Sequence, residues 1–173
     1  MKPNIALIGP MGAGKTSVGR LLSVALNMGF FDVDKEIQVA RGMSITEIFQ
    51  KLGETYFRRL EHEVCLQIPQ MQGFVISAGG GVILNPQNIP LIKSTCVIIF
   101  LSATATTLHA RLADDITRPL LVDGDRLETI KNLLNQREPL YIQATDFTIK
   151  TDKKTPKQCF EEIIDIMSRH GCL

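Results

Sequence analysis

Short apolar runs alternate along the chain with segments whose apolar residues recur at helical spacing. The runs cover residues 5–8, 30–33, 74–78, 96–101 and 147–149 and show little polar alternation. That is the pattern of strands buried on both faces, as in a parallel sheet. Between them, Val18, Leu21, Leu22, Ala25 and Leu26 make one helical stripe, and Phe57, Leu60, Val64 and Ile68 make another. Ser44 and Glu47 form a capping-box pattern that opens a short helix, which Gly53 can end. Thr155, Pro156 and Gln158 read as cap, first-turn proline and capping-box partner of a carboxyl-terminal helix. The alternation predicts one α/β domain, a sandwich with helices on both faces of the sheet. In such sheets ligands collect at the carboxyl ends of the strands.

The second run ends on two carboxylates, in Phe30-Phe31-Asp32-Val33-Asp34. On an extended strand Asp32 and Asp34 share one face, and a helix cap, a metal site and a grip on a substrate all fit that spacing. Composition narrows the field. A length of 173 residues suits a single domain. A net charge of +1 gives no electrostatic case for nucleic acid. Cys65, Cys96, Cys159 and Cys172 are scattered, without the close pairing of a metal site, and are expected to be reduced thiols of a cytoplasmic protein. No signal-peptide pattern opens the sequence, and no apolar run reaches the ~20 residues of a membrane span.

The segment Gly9-Pro10-Met11-Gly12-Ala13-Gly14-Lys15-Thr16 matches G-x-x-x-x-G-K-[ST] between a strand and a helical stripe. Its backbone N–H groups can turn inward around phosphate oxygens at a helix amino terminus. Lys15 would bridge the β- and γ-phosphates and the Thr16 hydroxyl would ligate Mg²⁺. The D-x-x-G and N-K-x-D motifs of GTPases are missing, and strands three and four carry no terminal carboxylate. Asp32 is the substitute on the Mg²⁺ side. A compact kinase acting on a small molecule remains.

Candidate acceptor residues lie further on. Arg58 and Glu61 stand at i, i+3, a spacing that holds a guanidinium rigid for an anion but equally serves a solvent-exposed ion pair. Gly79-Gly80-Gly81 after a buried strand permits close backbone approach to a ligand, or simply a flexible turn. Residues 111–126 form a polar segment with Arg118 at its centre, which resembles a mobile lid. Arg137 precedes Pro139, a proline expected to disrupt its helix. His62, His109 and His170 have no nucleophile partner and read as surface or satisfied residues.

Taken in order, G-x-x-G-x-G-K-T, F-x-D-x-D, G-E-x-x-F-R-x-x-E, G-G-G, R-P-L-L and R-x-P-L-Y resemble the shikimate kinases over nearly the whole chain. The resemblance implies the nucleoside-monophosphate-kinase type of P-loop fold: a three-layer sandwich with a five-stranded parallel sheet, a substrate-binding region at about residues 33–61 and a lid at about 112–125. It implies transfer of the γ-phosphate of ATP to the 3-hydroxyl of shikimate, with Mg²⁺, in aromatic amino-acid biosynthesis.

It also implies roles for individual residues. Lys15, Asp34 and Arg118 would be catalytic. Gly12, Ala13, Gly14, Lys15, Thr16, Ser17, Arg111, Arg118 and Pro156 would hold the nucleotide. Asp34, Arg58, Gly80, Gly81 and Arg137 would hold shikimate, inside a shell shaped by Phe49, Phe57 and Glu61. Thr16 would bind Mg²⁺ directly, with Asp32 and Ser77 acting through water. Asp34 is also placed to cap the following helix. The enzyme is expected to act as a monomer, without nucleic acid or membrane as partner. A gluconate kinase, a nucleotide kinase and a regulatory ATP-binding protein are the rival readings.

Overall fold

A computed structural model describes residues 3–113, 115, 120 and 125–173. Five strands, β1 (Asn4–Ile8), β2 (Gly29–Asp32), β3 (Phe74–Ser77), β4 (Cys96–Ser102) and β5 (Phe147–Lys150), form one parallel sheet in the order β2-β3-β1-β4-β5. The helices are α1 (Lys15–Leu26), α2 (Val33–Arg41), α3 (Ile45–Cys65), α4 (Asn88–Lys93), α5 (Ala105–Arg111), α6 (Arg126–Ala144) and α7 (Pro156–Arg169). The α/β reading therefore holds, with strand positions expected from the apolar runs to within about two residues.

The sandwich follows from the period of two along a strand. In β1, Ala6 and Ile8 face a core built with α2, α3, α4 and the end of α6, while Ile5 and Leu7 face one built with α1, α5 and α7. Both faces are covered, so apolar residues need not alternate with polar ones. The expected stripes are the buried faces: Val18 and Leu22 of α1, and Phe57, Leu60 and Val64 of α3. Leu21, in the first stripe, is exposed instead.

Both capping boxes form: Ser44 with Glu47 at the start of α3, and Thr155 with Gln158 at the start of α7. Gly53, at φ +82° and ψ 165°, breaks α3 where a stop was expected, and a second helical run continues from it.

Three expectations are corrected. β2 is an edge strand, half-buried at all four positions, because among the described residues only β3 pairs with it. The strand stops at Asp32, and this residue, not Asp34, caps the helix that follows. Its Oδ1 accepts from the Lys35 N–H at 3.3 Å. Asp34 lies in the first turn of α2, where a negative charge suits the positive end of the helix dipole. Finally, α6 runs through Pro139. Pro139 and Asn135, whose carbonyl loses its usual donor, are both exposed, so water can replace the missing N–H.

Candidate active site

The carboxyl ends of β1, β2 and β3 open into a cleft of about 1050 Å³. That volume takes a nucleotide with a small second ligand. The loop from β1 to α1 forms its floor. Gly14, at φ +97°, is the amino-terminal cap of α1 and offers no side chain to occupy the first-turn N–H groups. Those donors face an anion site instead. The Lys15 ammonium folds back over the loop and donates to the Gly9 carbonyl at 2.8 Å and the Pro10 carbonyl at 2.9 Å.

Arg111, the last residue of α5, bridges this loop to the segment after β5. Its Nη1 donates to the Gly12 carbonyl at 3.2 Å and to Thr151 Oγ1 at 3.0 Å, and its Nη2 donates to the Thr151 carbonyl at 2.7 Å. Asp152 then ties that segment to the opposite end of α5. Its Oδ1 accepts from the Thr104 N–H at 3.0 Å, the Thr104 hydroxyl at 2.7 Å and the Thr107 hydroxyl at 2.5 Å. Burial alone would raise the Asp152 pKa, but these hydrogen bonds outweigh it and hold the group down at about 2. Arg111 and Pro156 both line the cleft. Thr151 and Asp152, which fix that wall, escaped the sequence reading, because a Thr-Asp pair after a strand looks like any turn.

At the junction of the two halves, Thr16 Oγ1 donates to Asp32 Oδ2 at 3.0 Å. Ser77 lies beside Asp32 in the sheet register, at the end of β3, and is buried. These three oxygen-bearing residues are hard donors of the kind Mg²⁺ takes alongside phosphate oxygens and waters. Among the described residues, no cluster of three or more His, Cys, Asp or Glu side chains forms a self-sufficient metal cage. The donor set fits an ion that arrives with a nucleotide.

Behind this junction the side chains converge on Gly79-Gly80-Gly81. A Cβ at Gly79 would stand 2.6 Å from Glu61 Oε1 and 2.7 Å from Asp34 Oδ1. One at Gly81 would lie 2.0 Å from Arg58 Nη1. At Gly79 and Gly81 an added Cβ would displace the ends of these side chains, whereas at Gly80 no atom lies closer than 3.5 Å. Arg58 Nη1 donates to Glu61 Oε2 at 2.9 Å, while its Nε and Nη2 both reach Glu54 Oε1 at 3.2 Å. Side-chain exposure is 18% for Arg58 and 1% for Glu61, so this pair is not the exposed surface bridge that the spacing also allowed.

Burial pushes the Glu61 carboxyl up to about 7. Arg58 and Arg137 oppose that rise and Asp34 adds to it. Arg137, itself buried, donates to the Gly80 carbonyl at 3.3 Å, and Tyr141 donates to the same oxygen in a short hydrogen bond. Burial also raises the Tyr141 hydroxyl to about 12. Among the described residues, Glu61 Oε1 and Arg137 Nε are buried with no hydrogen-bond partner, one acceptor and one donor beside the same turn.

The structure thus brings together most of the expected residues. Gly12 to Ser17, Asp32, Asp34, Ser77, Gly80, Arg111 and Pro156 line the cleft. Arg58, Gly81 and Arg137 stand against the glycine turn without lining the cleft. Arg118 and Asp114 lie outside the described residues, as does most of the expected lid; within it, the Asp115 carbonyl accepts from Arg126 Nη2 at 2.7 Å. Glu54 and Tyr141 were visible in the motifs but had no assigned role. The signal for Glu54 is its i, i+4 spacing from Arg58.

Comparison with known proteins is consistent with this geometry. The family model described as shikimate kinase matches residues 11–168. A shikimate kinase of Caldicellulosiruptor bescii is 45% identical over 163 residues, 94% of each chain. Among solved structures, the shikimate kinase of Acinetobacter baumannii in complex with shikimate superposes with a TM-score of 0.95 at 34% identity, over 98% of this chain and 95% of that one. The Aquifex aeolicus shikimate kinase superposes with a TM-score of 0.84 at 38% identity, over 97% of this chain and 98% of the other.

Proposed function

The chain belongs to the shikimate kinase family, and on that footing we propose that its cleft transfers the γ-phosphoryl group of ATP to the 3-hydroxyl of shikimate. What supports the reading most is the junction of the cleft. Asp32 bonds Thr16 of the phosphate loop, while Asp34, two residues on, abuts the glycine turn that Arg58 and Arg137 also reach. A donor site and an acceptor site for an anion meet there.

Phosphoryl transfer passes through a loose transition state, so positioning and charge neutralisation matter more than covalent chemistry. The N–H groups at the start of α1 and the Lys15 ammonium take the phosphates once Lys15 leaves its loop carbonyls. Arg111 and Pro156 flank the base. Thr16 would hold Mg²⁺ directly and Asp32 and Ser77 would hold it through water, and the bound ion would neutralise phosphate charge. On the other side, Arg58 and Arg137 hold the shikimate carboxylate, and the Gly80 and Gly81 backbone offers further donors. Asp34 orients the acceptor hydroxyl and takes its proton as the oxygen attacks the γ-phosphorus, whose bond to the bridging oxygen breaks to release ADP. Arg118, outside the described residues, has the role the family resemblance implies: a lid arginine at the γ-phosphate. The proposal includes a monomeric cytoplasmic enzyme, in keeping with a near-neutral charge and four free cysteines.

Coupled ADP release, measured with shikimate, gluconate, AMP and no acceptor, tests the reading. Shikimate alone should support turnover. Equal turnover with gluconate or AMP would assign the site to another acceptor, and release independent of acceptor would mark an ATPase.

A further inference from the structure

We propose that Asn88 is a positioning residue for the acceptor half of the cleft, acting with His62 as a clamp that sets how closely Arg58 approaches the glycine turn. The inference rests on the acceptor reading above and extends it to two residues that lie outside every motif of the site. Asn88 opens α4 and is completely buried, which is unusual for an amide side chain. Both ends of the amide are used. Its Nδ2 donates to the Val82 carbonyl at 3.0 Å, and its Oδ1 lies 2.7 Å from His62 Nδ1.

The roles in this chain are fixed by elimination. A backbone carbonyl only accepts, so the amide must turn its NH₂ toward Val82 and leave Oδ1 toward the ring. Oδ1 also only accepts, so His62 Nδ1 carries a proton. That donor is present in both the neutral Nδ1–H ring and the charged ring.

The geometry explains why such a chain would govern the acceptor site. Val82 follows Gly81 directly, and Gly81 is where a Cβ would stand 2.0 Å from the Arg58 guanidinium. His62 follows Arg58 by four residues, one turn along the same face of α3. Asn88 therefore ties the helix that carries Arg58 to the backbone step beyond Gly81. Arg58, His62, Asn88, Val82 and Gly81 close into a ring, and its last side is the Arg58–Gly81 approach. Loss of the amide frees a buried carbonyl and relaxes that side; the phosphate loop meets the turn at Gly80 instead, where an added Cβ would lie 3.5 Å from the Gly9 carbonyl oxygen, and none of its residues belongs to the ring.

Steady-state kinetics and melting temperature are compared for the wild-type chain, Asn88→Leu, His62→Leu and His62→Asn, the last placing an amide donor where Nδ1 stands. Asn88→Leu should raise the shikimate KM about tenfold, the scale set by one buried polar contact, with the ATP KM within about twofold of wild type. His62→Leu should raise the shikimate KM by a smaller factor, and His62→Asn should restore it. Equal rises in both KM values, an unchanged shikimate KM in a variant that melts lower, or no rescue by His62→Asn would each reduce Asn88 to a packing residue. If Asn88→Leu fails to fold, the His62 pair decides the outcome by the same criterion. Absence of wild-type turnover with shikimate would overturn the acceptor reading and the clamp with it; normal wild-type turnover with unaltered variants overturns the clamp alone.

Discussion

On the nucleotide side of the cleft the cations lean on backbone carbonyls: Lys15 on Gly9 and Pro10, Arg111 on Gly12 and Thr151. On the acceptor side Arg58 leans on two carboxylates, Glu54 and Glu61, and the second of these is buried. Carbonyl dipoles orient a cation without cancelling its charge. Carboxylates cancel the charge and fix the fork, so the second half is close to neutral and selects by shape. A ligand with a single carboxylate needs that arrangement, since an unopposed pair of buried guanidinium groups would be costly without it. The backbone thus orients the cations of the nucleotide half, and paired charges orient Arg58.

The sharpest way to break this division is Asp34→Asn, which removes the carboxylate charge beside the glycine turn and keeps the side chain's size. Turnover should fall about 10²–10⁴-fold, the usual contribution of a positioned base, while nucleotide affinity measured by titration stays near wild type. Near-normal turnover would remove Asp34 from the chemistry. Arg58→Ala comes next. It should weaken shikimate binding by about 2–5 kcal/mol, because the shikimate carboxylate would lose a desolvated charged partner, and calorimetric titration with shikimate measures the change. An unaltered affinity would show that Arg58 serves the fold only.

Glu61→Gln sharpens the contrast through pH. Folding raises the Glu61 pKa from 4.5 to about 7, so the native chain binds that proton more tightly than the unfolded one. Its contribution to stability is full below about 4.5 and is lost as pH rises through about 7. Melting curves across that window should slope downward more steeply for wild type than for Glu61→Gln. Parallel slopes would mean that Glu61 does not titrate there. The smallest effect belongs to the nucleotide wall: Asp152→Ala should raise the ATP KM by a factor of a few, equivalent to about 1 kcal/mol, and leave the shikimate KM alone. A change in the shikimate KM instead would erase the boundary between the halves.

The same division decides what could be read from sequence. The phosphate loop is one contiguous segment between a strand and a helix, so its eight residues announced their geometry. Both capping boxes were legible for the same reason, since donor and acceptor lie three residues apart. The acceptor half draws on α2, α3, the turn after β3 and α6, and only the family resemblance joined those pieces in advance. Where local reading failed, a tertiary fact was missing. Asp32 and Asp34 are equally good caps until the end of β2 is known. Pro139 looks like a helix end until the solvent exposure of Asn135 is known. Asn88 sits in an ordinary Asn-rich turn and carries no signal until Val82 and His62 are seen on either side of it.

The central place of β1 has a consequence for the order of events during synthesis. The strand that leads into the phosphate loop is made first, yet its neighbours come much later: Ile5 aligns with Val75 of β3 and with Val97 of β4. Until β3 leaves the ribosome neither edge of β1 has its strand partner, and until β4 follows one edge is still bare beside the loop. The nucleotide site, first in the sequence, is therefore among the last parts of the molecule to exist. ATP can assist folding only as a ligand of the nearly finished chain, not as a template for the nascent one.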